Sequence, residues 1–294
     1  MEFVVVVNAN AGKAEHEAVG TATAVLSEHG DAEVAETEDP SELEQVVRDL
    51  DGRQLVVCGG DGSIHLAVDR LRAEGLLEDV TLGWVPLGTG NDLARTLGIP
   101  LEPEDAAGVI IDGRRRQLDL VVSDDDTIAV NALHAGVGVD AASRAEELKD
   151  RVGEFAYPLG AIAAGVTADG WNLHVEVDGT PVRTERTSNV LLVAVMNGRT
   201  FGGGTVMSPD AEPDDGTLDV VVCTPLGPPQ RAALGVALQS GTHLDRDDVH
   251  LARGEEVVIT GDEVGYNIDG ELAGEQYTER VFRVEPDRWS ILVP

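Results

Sequence analysis

Apolar positions fall in two different rhythms along this chain. Up to about Leu97, short aliphatic runs alternate with longer segments in which apolar residues recur every three or four positions. Phe3–Asn8, Glu33–Thr37, Gln54–Cys58 and Thr81–Val85 read as strands; Glu15–His29, Ser41–Leu50 behind Pro40, Ile64–Arg72 and Asp92–Leu97 read as helices. This β-α-β-α alternation predicts a parallel sheet covered by helices, an α/β domain. After about Leu120 the strands crowd together: Leu118–Val122, Thr127–Leu133, Leu173–Val177, Val190–Met196, Leu218–Cys223, Glu256–Thr260 and Tyr266–Ile268. Only Ala141–Lys149, Tyr157–Ala168 and Arg231–Gln239 interrupt them as helices. The second part is therefore expected to be a mostly antiparallel β domain, a sandwich or layered sheet. The expected division is 1–122 and 123–280, with the last strands, Val281–Glu285 and Trp289–Val293 in 281–294, able to join either domain.

Composition sharpens this picture. A length of 294 residues suits two domains, and 42% hydrophobic residues suffice for a sizeable core. Aromatics are only 3%, so aliphatic side chains must fill that core. The net charge is −33, from 54 acidic and 21 basic residues, and the lysines are Lys13 and Lys149 alone. Strong strands argue against disorder, and the scattered acids form no cation-binding tail. Adaptation to high salt, where screening removes long-range self-repulsion, is the reading we favour; it makes the protein halophilic. Cys58 and Cys223 sit in apolar runs and read as buried free thiols. The first residues lack a basic leader, and no apolar stretch reaches the roughly 18–20 residues that span a bilayer. A cytoplasmic protein is expected, able to visit the inner membrane surface peripherally. Arg114–Arg116 is its one tight basic cluster, and no nucleic-acid partner is expected. A homodimer is the default assembly.

Candidate chemistry lies where strands end. Gly59-Gly60-Asp61-Gly62-Ser63 stands between a strand and a helix; its glycines let the backbone approach a ligand, and the following helix N-terminus suits phosphate. Asp61 inside it either caps the helix or serves Mg²⁺ or a proton. Pro86-Leu87-Gly88-Thr89-Gly90-Asn91-Asp92-Leu93-Ala94-Arg95 repeats that logic one unit later, with Thr89 able to wrap a phosphate and Asn91 or Asp92 able to cap. Asn8-Ala9-Asn10-Ala11-Gly12-Lys13 ends the first strand; it lacks the spacing of a P-loop. In open α/β sheets, ligands bind outside such strand ends.

In their order these motifs resemble those of the diacylglycerol kinase catalytic-domain family, especially its bacterial-type soluble lipid kinases, and more distantly sphingosine kinases. GGDGS at 59–63 matches that family's GGDGT loop, PLGTGNDLAR at 86–95 its P-x-GTxNDFAR segment, and NANAGK at 8–13 an N-P-x-S-G-type opening. Later matches are Asn131 with Gly136-Val137-Gly138-Val139-Asp140, then Gly202–Gly204 leading to Pro209–Asp219, and Asp269-Gly270-Glu271. The resemblance covers nearly the whole chain. It implies a nucleotide-binding first domain of the NAD kinase and phosphofructokinase type, with ATP held in a cleft between domains. The implied nucleotide contacts are Asn8, Ala9, Asn10, Ala11, Gly12, Thr37, Gly59, Gly60, Asp61, Gly62, Ser63, Ile64, His65, Leu66, Gly88, Thr89 and Asn91. Asp61 and Asp92 would organise catalytic Mg²⁺, and Glu271 corresponds to the proposed proton acceptor. A structural Mg²⁺ is implied beside Asp215, with oxygens near Glu212 and Thr217, a ligand chemistry that suits this ion. The chain departs from the family's pattern at Ser63 for Thr, Ala9 and Ala11 for Pro and Ser, and Leu93 for Phe.

The expected activity is ATP-dependent phosphorylation of a lipid hydroxyl, with Asp61 and Glu271 competing as the base. Two other readings stand beside it: a kinase of a soluble acceptor such as NAD, and a non-catalytic nucleotide-binding regulator. On residues alone, without the other motifs, Asp269-Gly270-Glu271 reads first as a hairpin turn, and His65 and His134 as structural rather than catalytic.

Overall fold

A computed structural model describes residues 2–136, 170–182, 187–225 and 227–294. The helices expected at Ala141–Lys149 and Tyr157–Ala168, and the motif residues Val137–Asp140, lie outside the described residues. The chain divides into two compact units, residues 1–120 with 286–294, and residues 121–285.

The first unit runs β1 (Glu2–Asn8), α1 (Lys13–Ser27), β2 (Asp31–Thr37), α2 (Pro40–Arg48), β3 (Gln54–Gly59), α3 (Asp61–Ala73), β4 (Thr81–Pro86), α4 (Asp92–Leu97) and α5 (Pro103–Asp112), and then enters β5 (Arg114–Ser123). Its strands are parallel in the order β2-β1-β3-β4, and residues Ser290 and Ile291 add a further parallel strand against Thr81 and Leu82 of β4. Uninterrupted apolar runs such as Phe3–Val7 follow from burial on both faces. Phe3, Val5, Val7, Val56, Cys58 and Val85 form one core with Val19, Ala22 and Leu26 of α1 and Ala106, Ala107 and Ile110 of α5. Alternation sends Val4, Val6, Leu55 and Val57 to the other face, on the side of α2 and α3. Gly83 in β4 is required by α5: a Cβ there would stand 3.0 Å from the Ile110 side chain.

The second unit adds β6 (Ile128–Ala129), β7 (Ala132–Gly136), β8 (Trp171–Val177), β9 (Thr180–Pro181), β10 (Thr187–Val190), β11 (Leu192–Met196), β12 (Thr200–Phe201), β13 (Thr205–Val206), β14 (Leu218–Cys223), α6 (Pro228–Ser240), β15 (Val249–Gly254), β16 (Glu256–Ile268) and the start of β17 (Glu271–Val293). The order β15-β14-β11-β7-β16 is antiparallel at every step, and β16 also pairs antiparallel with β8 and β17. One face buries Leu133, Ala135, Val193, Val195, Val220, Val222, Ile259, Tyr266 and Phe282. The other buries Ala132, Ala194, Met196, Val221 and Cys223 beneath Leu234 and Leu238 of α6.

Both fold expectations hold, and several element bounds change. The strand expected at Thr127–Leu133 is two, broken where the N–H groups of Val130, Asn131 and Ala132 leave the ladder for the Asp269 carboxylate. Val190–Met196 is split between β10 and β11. Glu256–Thr260 and Tyr266–Ile268 are one strand, irregular after Thr260. Val281–Glu285 and Trp289–Val293 likewise belong to the single strand β17. Helix α3 begins at Asp61 rather than Ile64, so most of the glycine motif is its first turn. Neither α5 nor β15 was expected.

Candidate active site

In the first unit, strand register brings the motifs to one sheet edge. Asn8 lies beside Thr37, Val7 beside Cys58, and Gly59 beside Pro86, so the segments that follow them share the carboxyl ends of the strands. Asn8 makes the first turn itself: its Oδ1 accepts from Asn10 N at 2.8 Å and its carbonyl from Ala11 N at 2.9 Å. Ala9 N donates to Thr37 O at 2.9 Å, which joins Thr37 to this loop. The turn thus forms with Ala9 and Ala11 in place of Pro and Ser. Gly12 caps α1, its N–H taken by Glu15 at 3.0 Å. Lys13 is exposed and pairs with Glu17 at 3.5 Å, a surface contact of small energy.

The two glycine loops meet backbone to backbone. A Cβ on Gly88 would stand 2.5 Å from the Gly60 Cα, and one on Gly60 2.9 Å from the Gly88 Cα. A Cβ on Gly59 would collide with the Ser63 side chain. Gly59 O accepts from Leu87 N at 3.0 Å and from the Trp84 indole at 2.9 Å, which fixes the end of β3 to the next loop. Asn91, left-handed at φ 50°, closes the second loop: Oδ1 accepts from Gly88 N at 3.0 Å and Nδ2 donates to Gly88 O at 2.6 Å. Asp61 accepts from the N–H groups of Asp92 and Leu93 at 3.1 and 3.2 Å, so a carboxylate at the start of α3 caps the start of α4. Asp92 is buried beside it. Gly62, Ser63 and His65 are half-buried in the first turns of α3, as is Leu66, and Thr89 is exposed at the second loop. Ile64 is fully buried in the core, so only its backbone faces the loop chemistry.

In the second unit, hydrogen bonds join three of the expected motifs. Asp269 and Gly270, at φ 49° and 98°, form a two-residue turn closed by the Ile268–Glu271 pair. Both backbones are left-handed, the geometry that Asp-Gly favours. The Asp269 carboxylate accepts from Val130 N at 2.7 Å and from Asn131 N and Ala132 N at 2.9 Å each. Asn131 in turn accepts from Asn197 N and Gly198 N at its carbonyl and donates through Nδ2 to Thr200 O, at the root of the hairpin that turns at Gly202–Gly204. Glu271 is exposed, and no described residue hydrogen-bonds its carboxylate. His134 on β7 meets Phe201 with tilted rings, centroids 5.2 Å apart, and burial pushes the imidazole pKa down to about 4.

In the loop expected to hold a metal, Asp215 and Thr217 are joined by hydrogen bonds. Asp215 Oδ1 accepts from Thr217 N at 3.0 Å and Thr217 Oγ1 at 2.7 Å, while its other oxygen meets Arg253. Arg253 also meets buried Asp219 at 2.9 Å, and Ser208 Oγ donates to Asp219 at 2.9 Å. The Asp219 carboxyl is raised, by burial first. The Glu212 side chain pairs with Arg199 at 2.8 Å; the ligand expected there is a main-chain oxygen. Among the described residues, no three His, Cys, Asp or Glu side chains are grouped to hold a metal. A cation at this loop would share Asp215 with Arg253 and draw its other ligands from main-chain oxygens. Pattern alone did not reveal the Gly60–Gly88 contact or the Asp269 network; two glycine loops at equivalent strand ends were the only signal for the first.

Comparison with known proteins supports this picture. Residues 2–123 match the diacylglycerol kinase catalytic domain, and residues 131–293 the YegS C-terminal NAD kinase beta sandwich-like domain. A "Probable lipid kinase YegS-like" of Xanthomonas campestris is 30% identical over 94% of this chain and 91% of its own. A "Diacylglycerol kinase" of Mycobacterium tuberculosis is 29% identical over 74% of this chain and 70% of its own. A crystal structure of a Bacillus anthracis diacylglycerol kinase superposes with a TM-score of 0.72 at 19% identity, covering 100% of this chain and 97% of its own. An Archaeoglobus fulgidus NAD kinase in complex with ATP reaches 0.55 at 15% identity, over 99% and 93%. These two show the shared fold.

Proposed function

The chain belongs to the diacylglycerol kinase and YegS-like family of lipid kinases, and from that premise we propose that it transfers the γ-phosphoryl group of ATP to the hydroxyl of a lipid alcohol, diacylglycerol-like or sphingoid. The observation that supports this best is the interlock of Gly60 with Gly88 under the Asp61 carboxylate. Two bare backbones in contact at the carboxyl edge of a parallel sheet leave room for phosphates that any side chain there would fill.

In the proposed reaction the acceptor oxygen forms a bond to the γ-phosphorus, the bond to the β–γ bridging oxygen breaks, and ADP leaves. The hydroxyl proton goes to a carboxylate. Both oxygens of Asp61 already accept N–H groups, whereas Glu271 is exposed, which favours Glu271 as the acceptor of that proton and Asp61 as an anchor. Asp61 and Asp92, adjacent at two helix starts, fit Mg²⁺ as oxygen ligands, and the ion would neutralise phosphate charge. The loop from Asn8 to Gly12, with Thr37, Ser63 and Thr89, would contact the nucleotide. We also read the acidity as salt adaptation and the lipid as met by peripheral contact with a membrane surface; no described helix is long and apolar enough to cross one. A homodimer remains the expected assembly.

The test is transfer from labelled ATP with Mg²⁺ in high salt, offered diacylglycerol, dialkylglycerol, a sphingoid base or NAD. Labelled lipid, absent with Asp61→Ala, is the expected result. Labelled NAD alone would overturn the lipid reading, and ATP binding without any product would favour a regulator.

A further inference from the structure

Asp269 does more than shape a turn. A type of hairpin turn that needs only φ > 0 is served by Asn, Asp or Gly, and none requires a buried carboxylate. Yet Asp269 is buried, and its side chain accepts three consecutive backbone N–H groups, from Val130, Asn131 and Ala132, while its own N–H donates to Ala132 O at 2.9 Å. Three successive N–H groups around one anion form a concave nest, here filled by the protein's own carboxylate. On the other side of the turn, Asn267 Oδ1 accepts from Gly270 N at 3.0 Å. The residue that follows these two anchored groups, the first of β17, is Glu271. The clamp spans distant parts of the chain, and it costs β6 and β7 their continuity, so local turn formation does not account for it.

We propose that Asp269 is a positioning residue: its clamp on residues 130–132 fixes the main chain that presents Glu271 to the acceptor hydroxyl, with Asn267 holding the turn from the other side. This inference rests on Glu271 being the proton acceptor. Through Asn131, which bonds Asn197, Gly198 and Thr200, the clamp also ties that turn to the root of the triglycine hairpin. Turn and hairpin therefore hold one common frame.

The experiment compares Asp269→Asn with Glu271→Gln in the transfer assay. The amide is isosteric but keeps one acceptor oxygen, so its NH2 faces at least one of the three N–H groups, donor against donor. A misplacement near 1 Å costs about 10²-fold in rate, so kcat should fall by about that factor, while KM for ATP stays within twofold. A merely structural loosening would not leave KM for ATP in place while kcat falls, so the split between the two is the deciding readout. A folded Asp269→Asn with parental kcat, or one in which KM for ATP moves as much as kcat, overturns the inference. If Asp269→Asn does not fold, Asn267→Ala, which removes the side-chain bond to Gly270 N, is judged by kcat and KM for ATP. A fully active Glu271→Gln would instead remove the base assignment itself, and this inference with it.

Discussion

The carboxylate of Asp61 accepts the backbone N–H of Leu93 at 3.2 Å, although the two residues belong to different helices and different motifs. One side chain thereby joins the starts of α3 and α4 and sets the spacing of the two glycine loops. A single substitution at this position therefore acts on structure and chemistry together.

Replacing Asp61 by Ala should cost about 1 kcal/mol as a lost helix cap as well as abolishing transfer. Asp61→Asn retains one acceptor oxygen. It should melt closer to the parent yet lose at least about 10²-fold in kcat, because the charge proposed to serve the phosphates and Mg²⁺ is gone. Thermal melts beside the transfer assay separate the two effects; an active Asp61→Asn would leave this residue a cap alone.

Gly88→Ala should push the two loops apart, since its Cβ would lie 2.5 Å from the Gly60 Cα and neither backbone can rotate away. Overpacking of this kind costs about 1–3 kcal/mol. KM for ATP should rise at least about tenfold. Titration calorimetry with ATP reads this directly, and unchanged affinity would show that the contact does not shape the nucleotide site.

Glu271→Gln should lower kcat by about 10²–10⁴-fold, the usual contribution of a positioned base. Circular dichroism should be unchanged, because the turn is held by Asp269 and Asn267 rather than by Glu271.

How much of this was legible in the sequence depends on the range of the interaction. Parallel strands such as Phe3–Val7 announce themselves by apolar runs, and the glycine loops by composition. Helix α5 carried its signals, Pro103 at the start with Glu104 and Asp105 in the first turn, but its apolar stripe is only Ala106, Ala107 and Ile110. Strand β15 is an edge strand whose His250 and Arg253 blunt the alternation. The Asp269 clamp joins residues far apart in the chain, and no local pattern encodes it; an Asp-Gly pair looks the same with or without that partner.

The His134 imidazole has its pKa lowered by burial from 6.5 to about 4. Between those values the unfolded chain binds the proton more than the folded one, so stability contributed by neutral His134 is lost as pH falls through this window. Among the described residues, its partners across the strands, Ala194 and Asn267, and Phe201 beside it carry no charge to offset this. Relative to His134→Leu, the parent should lose unfolding free energy from pH 6.5 towards 4. Parallel pH profiles of the two proteins would refute the assignment.

With a net charge of −33, the folded chain should gain stability as salt is added. Screening lengths fall from about 30 Å at 0.01 M to about 3 Å at 1 M, which removes most of the self-repulsion. The urea midpoint should rise steadily into molar KCl, and a flat profile would reject salt adaptation.

The first unit is completed from the far end of the polypeptide. Ser290 and Ile291 pair with Thr81 and Leu82, and Trp289 is buried with its indole donating to Asp119 O at 3.0 Å. During translation, then, the glycine loops leave the ribosome long before the strand that borders their sheet. The nascent first unit must wait through synthesis of the entire second unit before its edge is closed. A message cut short after codon 285 would encode every residue assigned here to phosphate, metal and proton transfer, and yet yield a sheet whose β4 lies bare to chaperones and proteases.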